Sequence, residues 1–479
     1  MRVVFLLFFG VLVVFAHIVA AAERPPNIIF ILADDLGWAE LGCYGNSFNE
    51  TPHLDQLAQD GVRLTQAYAA APVCSPYRAS LLSGQYPARH GVLDYLRPDT
   101  PTPFSTNQVT IAERLQAGGY ATGMIGKWHL TGYKQHKAPV ELRATDHGFD
   151  EELVSEVKGV GNGANFFPYV FRTQPVSWNS AHRKKVLPGD EYLVDRMNHE
   201  AINFIQRHRA KPFFLYLSHF APHTILNGKP EVVAKYRRKH APGTSTKERC
   251  YLCQDAGHKG DALNHWAKDH NPHLAAMLES IDDGVGMIVK KLEELGLSED
   301  TMVIFTSDNG GELNVTSNGP LRGGKSELFE GGIRVPLIAK WPGKFPPRTV
   351  CAAPTCNVDF YPTFLEVAGL RRDAQQALDG SSVLGLFQSP QASVESRSFF
   401  WHYPLPMPHF LGGVSGGAIR DGNWKLIEWF EKGEVSLFNL AKDPGEKNDR
   451  ANIEKEVGTR LQRKLRNWRD SLGAKTTVK

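Results

Sequence analysis

Six cysteines in 479 residues are too few to hold a chain of this length as a disulfide scaffold. Charge of one sign is missing too. Lys and Arg number 54 against 51 Asp and Glu, a net charge of +3, so no strong field for nucleic acid or an anionic membrane is implied. After the first two dozen residues no apolar run is long enough to cross a bilayer, and there is no internal repeat or low-complexity tract. An apolar content of 42% and a charged content of 22% are ordinary for a globular protein. The length predicts a large domain with a smaller partner.

The N-terminus stands apart. Arg2 precedes the apolar run VVFLLFFGVLVVFA, and an Ala20-x-Ala22 step follows, which reads as a secretory signal over residues 1–22 cut before Glu23. An uncleaved anchor is the alternative, but the run is short for a span and His17 interrupts the apolar stretch. The mature chain is therefore expected to be exported, secreted or periplasmic (lysosomal or extracellular in a eukaryotic host), with no stable membrane span. Asn49-Glu50-Thr51 and Asn314-Val315-Thr316 are glycosylation sequons, relevant where the host glycosylates.

Four apolar runs end in polar residues. NIIFIL leads to Asp34-Asp35, YATGMIG to Lys127-Trp128-His129, PFFLYLS to His219 and His223, and TMVIFTS to Asp308-Asn309. Runs of this kind are what strands buried on both faces look like. HLDQLAQDGV, TIAERLQAGG and HLAAMLESIDDGVGMIVKKLEELG between them have helical spacing and glycine ends. The alternation predicts an α/β fold with a large, mostly parallel sheet flanked by helices, whose strand ends meet over one crevice. Past about residue 375, GGAIRDGNWKLIEWF and EVSLFNLAKDP alternate like antiparallel strands, and a closing helix follows. The expected division is a catalytic domain over 23–375 and a C-terminal subdomain over 376–479.

Asp34, Asp35, Asp308 and Asn309 offer hard oxygen ligands suited to Ca²⁺ or Mg²⁺; either pair alone could equally cap a helix or turn. Lys127 and His129, two apart on an extended stretch, project to one side. Lys127 could be a solvated loop residue, and His223, after Pro222, a hydrogen-bonded loop histidine. Lys325 lies among glycines that let backbone approach a ligand. Together these residues make an anion pocket around a divalent cation with acid-base groups at its edge, as hydrolysis of a phosphate or sulfate ester requires. Cys74, in PVCSPYRASLLSG, could be a nucleophile, half of a disulfide or a packed side chain.

Cys74-Ser75-Pro76-Tyr77-Arg78 with LLSG after it resembles the formylglycine signature of the type I sulfatases, members of the alkaline phosphatase superfamily. Ser83-Gly84 stands where Thr-Gly is usual, and Tyr77 where Ser is common. NIIFILADDLGW, GKWHL, HGFD, APH, SDNGGE, GGKSELFEGGIRVP, DFYPT and IRDGNWKLI resemble further sulfatase blocks in the family's order. The resemblance implies an alkaline-phosphatase-like sheet with a small C-terminal sheet domain. It implies that Cys74 is oxidised to formylglycine by a formylglycine-generating or sulfatase-maturing enzyme, and that the aldehyde hydrate attacks sulfur and later collapses to expel sulfate. Asp34, Asp35, Asp308, Asn309 and modified Cys74 match the ligands of one Ca²⁺. Arg78 matches the residue that holds the diol, Lys127 a sulfate and diol contact, and His129 the base of the elimination. His223 and Lys325 match the sulfate-binding pair, with His223 the acid for the leaving alkoxide.

A Cys/His-rich insertion spans about 236–273. Cys250, Cys253, His258 and His265 in it could bind Zn²⁺, form a local disulfide, remain thiols or help to recognise a sugar. The expected activity is removal of sulfate from a sulfated sugar or polysaccharide. A phosphonate monoester or phosphodiester hydrolase is the alternative, and a non-enzymatic glycan binder is disfavoured because every catalytic position is intact. Trp128, His136, Trp178, the segment 160–180 and the insertion are candidates to line sugar subsites. Nothing in the sequence fixes the sugar, the sulfate position or an oligomeric state.

Overall fold

Apolar runs with both faces covered can satisfy their backbone amides only in a sheet, and this fixes the centre of the molecule. The computed structural model describes residues 24–155, 165–167, 169–171, 174–175, 184–239, 270–391 and 396–477. The expected signal segment 1–22, Trp178, and Cys250, Cys253, His258 and His265 of the insertion lie outside the described residues.

In chain order the strands are β1 (Asn27–Ala33), β2 (Val62–Tyr68), β3 (Ala121–Lys127), β4 (Glu151–Ser155), β5 (Val170–Phe171), β6 (Gln174–Pro175), β7 (Phe213–Ser218) and β8 (Thr301–Ser307). They continue as β9 (Arg334–Lys340), β10 (Thr349–Cys351), β11 (Thr355–Cys356), β12 (Ser398–Tyr403), β13 (Gly416–Asp421), β14 (Trp424–Trp429) and β15 (Val435–Asn439). Nine form the large sheet in the order β10-β2-β9-β8-β1-β7-β3-β4, with β11 also on β2. All its pairings are parallel except those of β9, which runs against both β8 and β2. The second sheet, β12-β13-β14-β15, is antiparallel throughout.

Period two along β1 shows why the central runs are unbroken. Ile29 and Ile31 face a core completed by the helices Leu193–His208 and Pro272–Glu294, through Phe204 and Ile281. Ile28 and Phe30 face the opposite core, filled by Leu115 and Phe364 of the helices Ile111–Ala117 and Phe360–Val367. The helix Leu384–Gln388 packs into this second core as well.

The register levels the strand ends. Leu32 of β1 pairs with Ser218 of β7 and with Thr306 of β8, and Gly126 of β3 also pairs with Ser218. Asp34, Lys127, His219 and Asp308 therefore leave the sheet within a residue or two of one level. The close fit of β3 on β7 needs a glycine: Gly126 has φ 104°, and a Cβ there would lie 1.9 Å from the Ser218 carbonyl oxygen. Gly126→Ala is expected to destabilise the fold by about 3 kcal/mol, read as a lower urea midpoint with unchanged slope. An unshifted midpoint would contradict this contact.

The two sheets are locked by buried polar groups. Lys425 of β14 is fully buried between Glu330 at 3.0 Å and Glu446 at 2.9 Å, and Tyr68 donates to Glu330 at 2.7 Å. Trp401 of β12 donates its indole N–H to the Ala69 carbonyl at 2.7 Å. Among the described residues no helix is long and apolar enough to cross a membrane. Cys43, Cys74, Cys351 and Cys356 are free thiols. Asn49 of the first sequon is buried with its amide on Glu40, whereas Asn314 of the second is exposed.

Candidate active site

Cys74 opens the helix Cys74–Ser83, whose ten residues are all buried, and Gly84 ends it in the left-handed conformation. One turn along, Arg78 points the same way. Its guanidinium donates to Asp308 at 2.8 Å and to the Lys127 carbonyl at 2.9 Å, and lies 3.5 Å from Asp34. The Cys74 sulfur is 3.4 Å from an Asp34 oxygen and 3.4 Å from Lys127 Nζ. Lys127 Nζ also donates to Asp34 at 2.5 Å. On the other side Lys325 donates to Asp35 at 2.7 Å and contacts His223 Nε2 at 3.0 Å. Asn309 donates to Asp35 at 2.7 Å. Asp34, Asp35, Cys74, Arg78, Lys127, His223, Asp308, Asn309 and Lys325 are thus brought together, and His129 lies close enough to feel Lys127 and Arg78. His219, expected with them, stands apart, with both ring nitrogens buried and without a hydrogen-bond partner.

The electrostatics follow from burial and pairing. Burial, then Asp34, push the Cys74 thiol well above its ordinary range, so the unmodified sulfur is protonated and a poor nucleophile at neutral pH. Burial, then the Asp34 carboxylate, raise Asp308 to about 7. Burial alone would raise Asp35, but Lys325, His223 and Lys127 overcome it and hold that carboxyl well below its usual range. Burial and Lys325 lower His223 to about 4. Burial, then Lys127 and Arg78, lower His129 far below the ordinary imidazole value.

Hydrogen bonds set the histidine tautomers. His129 Nε2 faces the Leu96 carbonyl at 3.0 Å and so carries the proton, leaving Nδ1 bare and buried. His223 Nδ1 faces the Thr224 carbonyl, which leaves Nε2 as the acceptor toward Lys325. Three non-glycine residues of the site region, Asp35, His129 and Ser326, have φ of 62°, 57° and 73°, as strained backbone at functional positions often does.

The donor set fits a hard divalent cation. Asp34, Asp35, Asp308 and Cys74 each offer a ligand atom within 4.8 Å of the others, and Asn309 Oδ1 is buried without a partner. Among the described residues, the ligand groups close enough to share an ion all include Asp34 and Cys74. Three carboxylates stand against the fixed cations Arg78, Lys127 and Lys325. A cation could turn the acids toward itself and free the bases for an anion.

Sequence reasoning missed Ser218, whose hydroxyl donates to the Lys127 carbonyl at 3.0 Å and meets Arg78. A small polar residue closing an apolar strand was the only signal for it. It also missed Glu312, which accepts from Thr224 beside His223 at 2.8 Å. Trp128 lines no subsite: its ring is buried in the core and its N–H donates to the Leu142 carbonyl.

Residues 26–370 match the sulfatase family, and residues 324–471 match the C-terminal region of N-sulphoglucosamine sulphohydrolase. Steryl-sulfatase of Mus musculus is 32% identical over 481 residues, covering 85% of this chain and 71% of that protein. N-acetylgalactosamine-6-sulfatase of Sus scrofa is 34% identical over 475 residues, covering 90% of this chain and 82% of that one. The structure of Ps i-CgsB in complex with k-i-k-neocarrahexaose superposes with a TM-score of 0.77 at 30% identity, over 93% of each chain. Sheet and buried cluster together place the protein in the alkaline phosphatase superfamily. Within it, the chain belongs to the sulfatase family and is a sulfuric ester hydrolase. The family implies a formylglycine and a Ca²⁺ ion, and the chain has a buried Asp/Cys cluster whose ligand atoms could hold a metal ion.

Proposed function

We propose that the site removes sulfate from a sulfated sugar or polysaccharide, with Cys74 converted to formylglycine by a maturing enzyme. The observation that carries this reading is the pairing around Cys74: Asp34, Asp35 and Asp308 each face Lys127, Lys325 or Arg78 in one buried cluster. Sugar as substrate is supported by the similarity to N-acetylgalactosamine-6-sulfatase and to Ps i-CgsB solved with a neocarrahexaose. Export after removal of residues 1–22 fits a polymer met outside the cell. The catalytic work falls to the large sheet within 23–375, and the antiparallel sheet belongs to a C-terminal unit within 376–479.

Asp34, Asp35, Asp308, Asn309 and the oxygen that replaces the Cys74 sulfur would hold Ca²⁺, which polarises sulfate oxygens and lowers the pKa of a nearby hydroxyl. The aldehyde hydrate supplies an oxygen nucleophile that can expel sulfate by collapsing to its carbonyl. Arg78, fixed by Asp308 and the Lys127 carbonyl, holds position 74 in place. Lys127, 3.4 Å from that side chain, stays beside the reacting atom and neutralises charge on the sulfate. His129 takes a proton on its bare Nδ1. His223 and Lys325 hold one proton between them across 3.0 Å, and the leaving alkoxide takes its proton from this pair.

The test uses protein co-expressed with a formylglycine-generating enzyme. Its kcat/KM on an aryl sulfate is expected to exceed that on a phenyl phosphonate ester by about a hundredfold or more. A reversed preference would move the protein to the phosphonate hydrolases. A screen of defined sulfated saccharides then finds the sugar.

A further inference from the structure

Two segments outside the sulfatase blocks meet beside the cluster. The first is 94–97. Leu96 is clamped between the site's own neighbours: Ser75, next to Cys74, accepts its N–H at 2.9 Å, and His129 donates to its carbonyl at 3.0 Å. On either side of it the Arg97 guanidinium lies over the Tyr95 ring, 4.9 Å from the centroid. The second segment joins β12 to β13. Gly413 donates to the hydroxyl of Ser326, the residue after Lys325, at 3.1 Å. A Cβ at Gly413 would fall 1.9 Å from the Ser326 carbonyl oxygen, so this close approach needs glycine. His409 N–H donates to the Gly413 carbonyl at 2.7 Å, which ties the loop tip to that anchor.

The segments join through rings. Tyr95 meets His409 edge-on at 5.6 Å, and His409 stacks on Phe410 at 4.4 Å. Each member has chemistry to offer. Arg97 is exposed and makes no ion pair among the described residues, while the acid Asp94 accepts from Tyr403. His409 Nδ1 accepts the Leu411 N–H at 3.1 Å, so its proton sits on Nε2 as a neutral donor. Burial, then Lys325 and Arg97, hold this ring at about 4, which keeps it neutral. Phe410 is 78% exposed and offers a flat apolar face of the kind that sugar rings cover.

We propose that Tyr95, Arg97, His409 and Phe410 form a shelf that binds the sugar next to the one being desulfated, and that Arg97 takes an anionic group, sulfate or carboxylate, on that neighbour. The substrate is then a polyanionic glycan in which the cleaved sulfate is not the only charge. This deepens the sulfatase reading and rests on it. A planar guanidinium already stacked on an aromatic ring loses little freedom when it grips such an oxyanion. The shelf acts on substrate capture, so its effect belongs in KM.

The experiment compares mature enzyme on one sulfated disaccharide with the same disaccharide carrying a second sulfate, or a carboxylate, on the adjoining sugar. Wild type should favour at least one charged form by about tenfold in kcat/KM, the worth of one charge-assisted contact. Arg97→Ala should erase that preference through KM, and Arg97→Glu should invert it, in proteins with unchanged unfolding curves. Wild type with no preference for either charged form overturns the shelf and leaves sulfatase activity standing. A preference that survives Arg97→Glu overturns it as well. If no sulfate ester is turned over at all, the sulfatase reading fails; calorimetric binding of the same saccharides to wild type and Arg97→Glu then decides the shelf separately.

Discussion

Mature Cys74→Ala protein is expected to lose sulfate ester turnover by about four orders of magnitude or more in kcat, because the reacting atom itself is gone. Its fold should survive. Alanine suits a helix, and the change removes a single buried sulfur at a cost of about 1–2 kcal/mol. The same reasoning covers protein made without a maturing enzyme. Its thiol is pushed far above the ordinary range by burial and by Asp34, so almost none of it is thiolate at neutral pH. Such protein should be as inactive as the alanine variant. Mass measurement of the peptide holding residue 74 joins the two results: activity should track the fraction of chains that have lost sulfur there. Fully active protein with its sulfur intact would falsify the assignment of position 74.

The second large effect concerns calcium and pH. In metal-free protein Asp308 titrates near 7, against 3.8 for an ordinary aspartate. Between these values the folded chain holds a proton that the unfolded chain has released. The metal-free fold is thus penalised as pH rises through this window, and the penalty is complete above about 7. A bound cation must displace that proton, so calcium affinity should weaken about tenfold for each pH unit below 7 and level off above it. Calorimetric titration at several pH values measures this. Asp308→Asn keeps an oxygen donor but removes the charge. It should weaken calcium binding by about tenfold or more, flatten the pH dependence, and lower kcat by about a hundredfold. Calcium binding that ignores pH between 5 and 7 in wild type would show that no ligand carboxyl holds a proton there, and binding unchanged in Asp308→Asn would show that Asp308 is not a ligand.

Much of this was legible in the chain. Asp34, Lys127, His219 and Asp308 follow apolar runs of similar length, and parallel register levels their ends, so convergence could be read before any coordinates. Alternation of side chains along an extended stretch reads Lys127 and His129 as a pair, but it holds only as far as Lys127, where β3 ends; His129 has a φ of 57°. Trp128, between them, packs in the core. The reversed direction of β9 was not legible, because an apolar run carries no arrow; its direction comes from how the chain returns from Asp308 through the glycine-rich stretch. The pairing of Lys127 with Asp34 and of Lys325 with Asp35 was hidden for another reason: which acid meets which base is decided by distances across the crevice. Tyr95, Arg97 and His409 carry no motif at all. Their association depends on two loops more than 300 positions apart in the chain meeting at one edge.

The lock between the two sheets has a consequence for how such enzymes diversify. Lys425 from the small sheet sits fully buried between Glu330 and Glu446, and Trp401 is hydrogen-bonded to the backbone that leads toward Cys74. A crossover that exchanged the small sheet for an unrelated one would strand the buried Glu330 carboxylate on the large sheet, so such an exchange is expected to destabilise the fold. The loop between β12 and β13 is held by lighter contacts, Leu405 in the core, Gly413 on Ser326 and His409 on Tyr95. New appetites can therefore arise by drift in a dozen residues at the rim while the interlocked halves stay fixed.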